Sequence, residues 1–303
     1  MGSNLIEFLN KKGIMPYVYD TGAFEGEKWK NVIGLKYLLI DSPPLFSTYD
    51  FDVIVHLGAN TDTRDKMSPE LWENNVDFTQ KMLAQLRCSK KLIYASSGAT
   101  YGAESQNFQE RIDGLKPLNA YAFTKLYLDN YFFGINDTKN VFGLRFFNAF
   151  GPRENHKDDM ASMAHRALFK DPSIYQSASN FPERLPAWKL YKSYREGIED
   201  GGAKRDFIYV EDVCEVIWHF IENDCPHGIY NVGSGVASSF NDLVKIVDPT
   251  MPIDYVEMPP ALQKQYQYYT RANLEKLRNI AGYKGRMTAL EEGVRLTREK
   301  MKL

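Results

Sequence analysis

Apolar positions along this chain alternate between two rhythms, helical spacing and short continuous runs. Leu5, Ile6 and Leu9 recur at helical spacing and stop at Gly13, which predicts a short amphipathic helix over residues 4–12. Residues 15–19 read as a buried strand ending at Asp20, and residues 36–40 as another. A largely apolar run over 51–56 closes on Gly58. Residues 69–86 predict a long helix, 91–95 a strand running into Ser96-Ser97-Gly98, 119–133 a helix and 141–147 a strand.

Apolar strands alternating with helices imply a parallel sheet covered on both faces, a doubly wound, Rossmann-like α/β fold. Beyond Gly151 the rhythm loosens. Residues 171–203 are rich in Ser, Pro, Gly and charge and read as loops of a second, smaller α/β lobe. Short strands at 206–210 and 228–232 flank a helix at 211–223, and helices are predicted at 274–280 and 288–300. No internal repeat or low-complexity tract interrupts the pattern.

Composition narrows the classes of function. A chain of 303 residues can bury a large core, and 37 basic against 39 acidic side chains leave a net charge of -2. That balance offers no charged surface for nucleic acid or membrane. Cys88, Cys214 and Cys225 form no CxxC pair and read as reduced thiols, and no apolar run reaches the roughly 18–20 residues needed to span a bilayer. A cytoplasmic protein without a metal site is expected. The 19 Tyr and 18 Phe suit a carbohydrate or nucleotide pocket, although most aromatics serve cores.

Open α/β sheets bind ligands at the carboxyl ends of their strands, so the residues following each strand carry the candidate chemistry. Tyr121 and Lys125, four apart on a predicted helix, share one face, and no other Tyr has Lys four residues on. A Lys ammonium beside a phenol favours phenolate, drawing the Tyr pKa down from about 10, and a Tyr so tuned can take a proton from an alcohol. Ser97, at the end of the preceding strand, can hydrogen-bond the same oxygen. Taken singly, the first is a chance spacing and the second a Ser-rich turn; in this order on this fold they form a Ser-Tyr-Lys group.

With Arg145-Phe146-Phe147-Asn148-Ala149-Phe150-Gly151-Pro152-Arg153 and Arg205-Asp206-Phe207-Ile208-Tyr209-Val210, that group resembles the nucleotide-sugar epimerases of the extended short-chain dehydrogenase/reductase superfamily. Glu154-Asn155-His156-Lys157-Asp158-Asp159-Met160-Ala161-Ser162 is similar to a segment of the heptose 6-epimerases, and residues 265–270 to their tyrosine segment. The resemblance implies that Tyr121, Lys125 and Ser97 are catalytic, with Lys157 as a second base. It implies contacts to an ADP-sugar substrate from Ser97, Asn148, Lys157, Arg205 and Tyr266. Gly2, Asp20, Thr21, Lys28, His56, Gly58, Ala59, Asn74, Lys125 and Ala149 fall at its cofactor positions. An acidic Asp20 closing a strand suits NAD, whereas Lys28 suits the 2′-phosphate of NADP, and the resemblance selects NADP. It further implies a dinucleotide-binding domain over 1–150, with 206–232 returning to it, and a substrate lobe over 151–205 and 233–303; a homo-oligomer is expected.

Two departures stand beside the resemblance. Gly2 matches the last glycine of the family's glycine-rich turn, while the first strand and first two glycines have no counterpart. A misplaced start and weak cofactor binding are therefore expected. Gly98-Ala99 lacks the Asp-Glu pair that dehydratases place after the hydroxyl residue. A nucleotide-sugar 4-epimerase or dehydratase, and a non-catalytic homologue, remain the alternative readings.

Overall fold

The computed structural model describes residues 1–20, 25–40, 51–84, 91–103, 106, 108–135, 140–169 and 187–301. Helix α1 (Gly2–Lys11) leads to strands β1 (Tyr17–Val18), β2 (Leu38–Leu39) and β3 (Val53–His56). Helices α2 (Pro69–Trp72) and α3 (Phe78–Ala84) are joined by a π-helical turn, Glu73–Asp77. Strand β4 (Lys91–Ser97), helix α4 (Ala120–Asp129) and strands β5 (Val141–Phe146) and β6 (Asn148–Phe150) follow. Next come helix α5 (Met163–Phe169), strands β7 (Trp188–Tyr191) and β8 (Lys204–Tyr209), helix α6 (Val210–Glu222), and strands β9 (Gly228–Val232) and β10 (Ala237–Ser239). Helix α7 (Phe240–Val247), strand β11 (Ile253–Val256) and helices α8 (Pro260–Gln263), α9 (Glu275–Asn279) and α10 (Leu290–Met301) complete the order.

The main sheet is parallel throughout, in the order β3-β4-β5-β9. Its two central strands are buried on both faces, which is why they read as continuous apolar runs. Alternate residues divide between two layers. Ile93, Ala95, Phe142 and Leu144 pack with Leu5, Phe8 and Leu9 of α1 and with Val213, Ile217 and Phe220 of α6. Leu92, Tyr94 and Val141 face Val76, Met82, Leu128 and Phe132 on the other side. Burying each such side chain contributes roughly 1.5–3 kcal/mol, so the two layers fix the strand register.

The elements around that core differ from the sequence expectation in identifiable ways. The β1-β2 pair is parallel and, among the described residues, shares no ladder with the main sheet. Strand β8, expected to begin at Asp206, starts at Lys204 and joins a separate sheet in the order β10-β8-β6, whereas β9 enters the main sheet. The expectation of loops over 171–203 is corrected in part. Strand β7 pairs in parallel with β11, because alternate burial of Trp188 and Leu190 gives it a core face. Residues 171–186 of that expected loop lie outside the described residues, as do Cys88 and Thr21. Among the described residues no helix is long and apolar enough to cross a membrane.

Candidate active site

Ser97 is the last residue of β4, and its side chain accepts from the Ala99 amide (3.1 Å), opening a 3-10 turn over Gly98–Tyr101. The turn closes on Gly102 at φ +63°, where a Cβ would stand 1.9 Å from the Lys116 carbonyl oxygen, so only glycine fits. Asn119 caps α4 by accepting from the Ala122 amide at 2.9 Å. That cap sets Tyr121 in the first turn of the helix and Lys125 in the next. Ser97 acts on the Tyr121 hydroxyl to lower its pKa, and Lys125 Nζ lies 5.9 Å from the Tyr121 ring centroid with only 3% of the residue exposed.

Burial decides the electrostatics of this pair. It raises the Tyr121 pKa above its ordinary value, with the Ser97 hydrogen bond working in the opposite direction. The lowering of the phenol expected from Lys125 is not found: burial comes first, and only the Ser97 hydrogen bond opposes it. Burial also brings Lys125 down to about 8, with the Asp129 carboxylate resisting. His56, at the end of β3, is held at about 3 by burial and then by the Lys125 charge, and is neutral. Its Nε2 is 3.0 Å from the Thr79 hydroxyl.

The π-helical turn supplies a residue the sequence did not single out. Asn75 is 1% exposed and donates to the Thr124 hydroxyl (3.1 Å) and the Asn60 carbonyl (3.0 Å), while accepting from the Asn60 amide (2.8 Å). Thr124 in turn donates to the Tyr121 carbonyl. Asn74, the neighbour expected at the cofactor, is exposed on the same turn. Gly58 is exposed and Ala59 half-buried just beyond β3.

A second cluster forms where β6 ends. Glu154 is buried and accepts from the Ser162 amide (3.0 Å) and hydroxyl (2.7 Å), and Lys157 Nζ approaches it to 3.3 Å. Burial acts to raise the Glu154 carboxyl, yet Lys157 and the Ser162 bonds hold it below its ordinary value. His156 Nδ1 meets the Asn31 side-chain amide at 2.8 Å, which joins this turn to the 3-10 helix Lys28–Val32. Burial, then the Lys157 and Lys28 charges, lower the His156 imidazole. The first turn of α1 docks here too, with Asn4 donating to the Pro152 carbonyl (3.1 Å) and Arg153 donating to Glu7 (2.6 Å) and to the Ser3 carbonyl.

The third cluster is cationic and aromatic. Arg205 is 7% exposed, with its Cζ 5.2 Å from the Tyr266 ring centroid and 5.5 Å from that of Phe240. Among the described residues no carboxylate lies within 4 Å of it, and burial works against its charge. Asp206 turns the other way, accepting from the Ser234 amide and hydroxyl and the Gly235 and Ala272 amides at 2.6–2.9 Å. Asn148 is exposed at the start of β6, opposite Phe207 in β8, and Ala149 follows it half-buried.

These clusters can be compared with known proteins. The model of the NAD dependent epimerase/dehydratase family matches residues 1–233. ADP-L-glycero-D-manno-heptose-6-epimerases of Nitratidesulfovibrio vulgaris (strain DP4) and Fusobacterium nucleatum subsp. nucleatum are each 35% identical across 97% of this chain, and 92% and 93% of theirs. The crystal structure of the Helicobacter pylori ADP-L-glycero-D-manno-heptose-6-epimerase matches at a TM-score of 0.80 and 25% identity, over 99% of this chain and 92% of that one. A UDP-N-acetylglucosamine 4-epimerase from Methanobrevibacter ruminantium M1 matches at 0.79 and 21%, over 98% and 93%, a likeness of fold alone. With the family model spanning the main sheet and these relatives aligned along nearly the whole chain, the protein belongs to the NAD dependent epimerase/dehydratase family and is an enzyme of the epimerase type.

Proposed function

We propose that the chain interconverts ADP-D-glycero-D-manno-heptose and its L-glycero epimer at C6 through a 6-ketone, using NADP. The observation that supports this reading is that two groups able to move a proton stand on separate elements. Tyr121, with Ser97 acting on its hydroxyl and Lys125 near its ring, stands on α4, and Lys157, paired with Glu154, stands on the turn after β6.

The donor set fits a nicotinamide dinucleotide. The first turn of α1 has no side-chain cap, and space is open where a Gly2 Cβ would stand, so a pyrophosphate can approach its amides. Asp20 and Lys28 would hold the adenosine ribose and its 2′-phosphate, with His56, Gly58, Ala59, Asn74 and Ala149 along the cofactor. When bound, the cofactor would accept a hydride from C6 of the sugar and return it. Arg205 would meet the ADP pyrophosphate with its planar fork, while Tyr266 and Asn148 enclose the nucleotide sugar. Tyr121, once its own proton has passed to water and Lys125 supports the phenolate, would take the C6 hydroxyl proton on one face, with Ser97 Oγ hydrogen-bonded to the same oxygen. The Lys157 ammonium would give a proton to that oxygen when it lies on the other face.

The test is to incubate purified protein and NADP with ADP-D-glycero-D-manno-heptose and, separately, with UDP-galactose. Proton NMR is expected to show the L-glycero epimer in the first and no change in the second. Turnover of UDP-galactose alone would replace this reading with a C4 epimerisation.

A further inference from the structure

Helix α4 carries its polar chemistry at intervals of four. Tyr121, Lys125 and Asp129 follow one another on a single face, each one turn beyond the last. Asp129 is fully buried, and its two oxygens are already engaged. Oδ1 accepts from the Tyr94 hydroxyl at 2.5 Å and Oδ2 from Arg145 Nε at 2.8 Å, with Arg145 Nη2 also 2.8 Å away. Arg145 is itself fully buried, donates to the Arg111 carbonyl and lies over the Tyr101 ring. Even the strand glycine takes part: a Cβ on Gly143 would stand 2.7 Å from the Tyr94 hydroxyl, so that glycine makes room for the bond to Asp129.

Lys125, by contrast, makes no ion pair within 4 Å among the described residues. An ammonium 3% exposed needs support from a nearby anion if it is to keep its proton. A contact ion pair would draw it away from Tyr121. A carboxylate one turn further on, with both oxygens turned to Tyr94 and Arg145, supports the charge without capturing it.

We propose that Asp129 is a positioning residue that keeps Lys125 protonated beside Tyr121, and that Tyr94 and Arg145 hold Asp129 for that purpose. The assignment rests on the reading of Tyr121 and Lys125 as a proton-transfer pair. The charged and titratable groups around Lys125 bear it out physically. His56 is neutral, Tyr121 is a protonated phenol, and Asp129 is the anion that resists the lowering of Lys125 by burial. Around Asp129 stand the Tyr94 phenol, which burial raises, and the Arg145 guanidinium, which stays charged despite its burial.

The experiment follows the Lys125 titration directly, by the 13Cε shift in protein labelled with 13C-lysine, with the signal assigned by Lys125→Met. The parent midpoint is expected near 8. Asp129→Asn should lower it by about one unit, a tenfold shift in the protonation equilibrium, and Asp129→Glu should restore it. Because Asp129→Asn leaves a buried guanidinium unpaired and can prevent folding, Tyr94→Phe/Asp129→Leu/Arg145→Met replaces the network by apolar groups. In that variant too the midpoint should fall. A midpoint within about 0.3 units of the parent in whichever variant folds would overturn the proposal, since a merely structural ion pair leaves Lys125 unmoved. If the midpoint falls while Tyr121→Phe retains full turnover, Asp129 still governs Lys125, and the proton-transfer reading is what fails.

Discussion

Glu154 and Lys157 are joined at 3.3 Å across three residues, and the carboxylate is nine-tenths buried while the ammonium is 38% exposed. This asymmetry separates the two energetically. The exposed partner is screened by water, so the stabilising share rests with the charge-assisted bonds from Ser162 to Glu154. Glu154→Gln should cost about 1–2 kcal/mol at neutral pH. Since the folded carboxyl titrates below its unfolded value, that contribution is present above the ordinary carboxylate range and disappears as pH falls through the folded pKa. Urea titrations of parent and variant should therefore differ at pH 7, with the difference shrinking as the pH is taken below the ordinary carboxylate range.

Turnover should decline on the alkaline side. Lys125 is charged below about 8 and loses its proton above that value, leaving Tyr121 without the cation that supports its phenolate. A profile of kcat/KM against pH should fall above about 8 in the parent. Tyr121→Phe should lower kcat by roughly 10²–10⁴-fold while leaving ADP-sugar binding in place. A kcat unchanged in Tyr121→Phe would remove this residue from the chemistry.

Cofactor preference should follow Lys28. Its 3-10 helix is tied to the Lys157 turn through Asn31 and His156, so the lysine is set against a fixed neighbour. A 2′-phosphate beside Asp20 needs a cation to offset like-charge repulsion. Lys28→Ala should weaken NADP binding far more than NAD binding by calorimetry. Equal losses for both would make Lys28 a surface lysine.

Asp206 should be a stability residue rather than a binding one. Although burial raises its carboxyl first, four donors from the segments after β9 and before α9 converge on it. Asp206→Ala strands those donors and should cost about 3–5 kcal/mol in urea unfolding. A loss below about 1 kcal/mol would show that water replaces the carboxylate without difficulty.

Much of this was legible in the sequence where one local rule decided the outcome. The strands β4 and β5 read as apolar runs because both faces are covered, and Tyr121 with Lys125 was visible as helical spacing. The π-helical turn was not, since the sequence of Glu73–Asp77 carries no signal distinguishing an extra residue per turn from ordinary helix. The pairing of β7 with β11 joins segments more than sixty residues apart, beyond any local pattern. Asp129 stands in plain view four residues after Lys125, but its significance depends on Arg145 and Tyr94, which only the sheet brings beside it. The Tyr121 pKa was misjudged for the same reason: spacing displays the charge nearby and hides the degree of burial.

Arg205 separates stability from binding most sharply. Its guanidinium is buried near the Tyr266 and Phe240 rings without a carboxylate within 4 Å among the described residues, and its Nη1 donates to the Lys204 carbonyl. Holding an unneutralised cation there costs stability, and the two ring faces recover part of it. Such a cost is worth keeping only if an anion arrives. Arg205→Met fills similar volume and keeps the aromatic contacts, so it should leave the melting temperature unchanged or raise it. The same change should weaken ADP binding by tenfold or more, because the fork that meets a pyrophosphate in two parallel bonds is gone. Arg205→Lys should recover little of the affinity, as a point charge on a flexible stem cannot reproduce that fork. Thermal unfolding and calorimetry with ADP on the same preparations decide the matter. A variant that melts well below the parent yet binds ADP normally would make Arg205 a packing residue and move the pyrophosphate elsewhere.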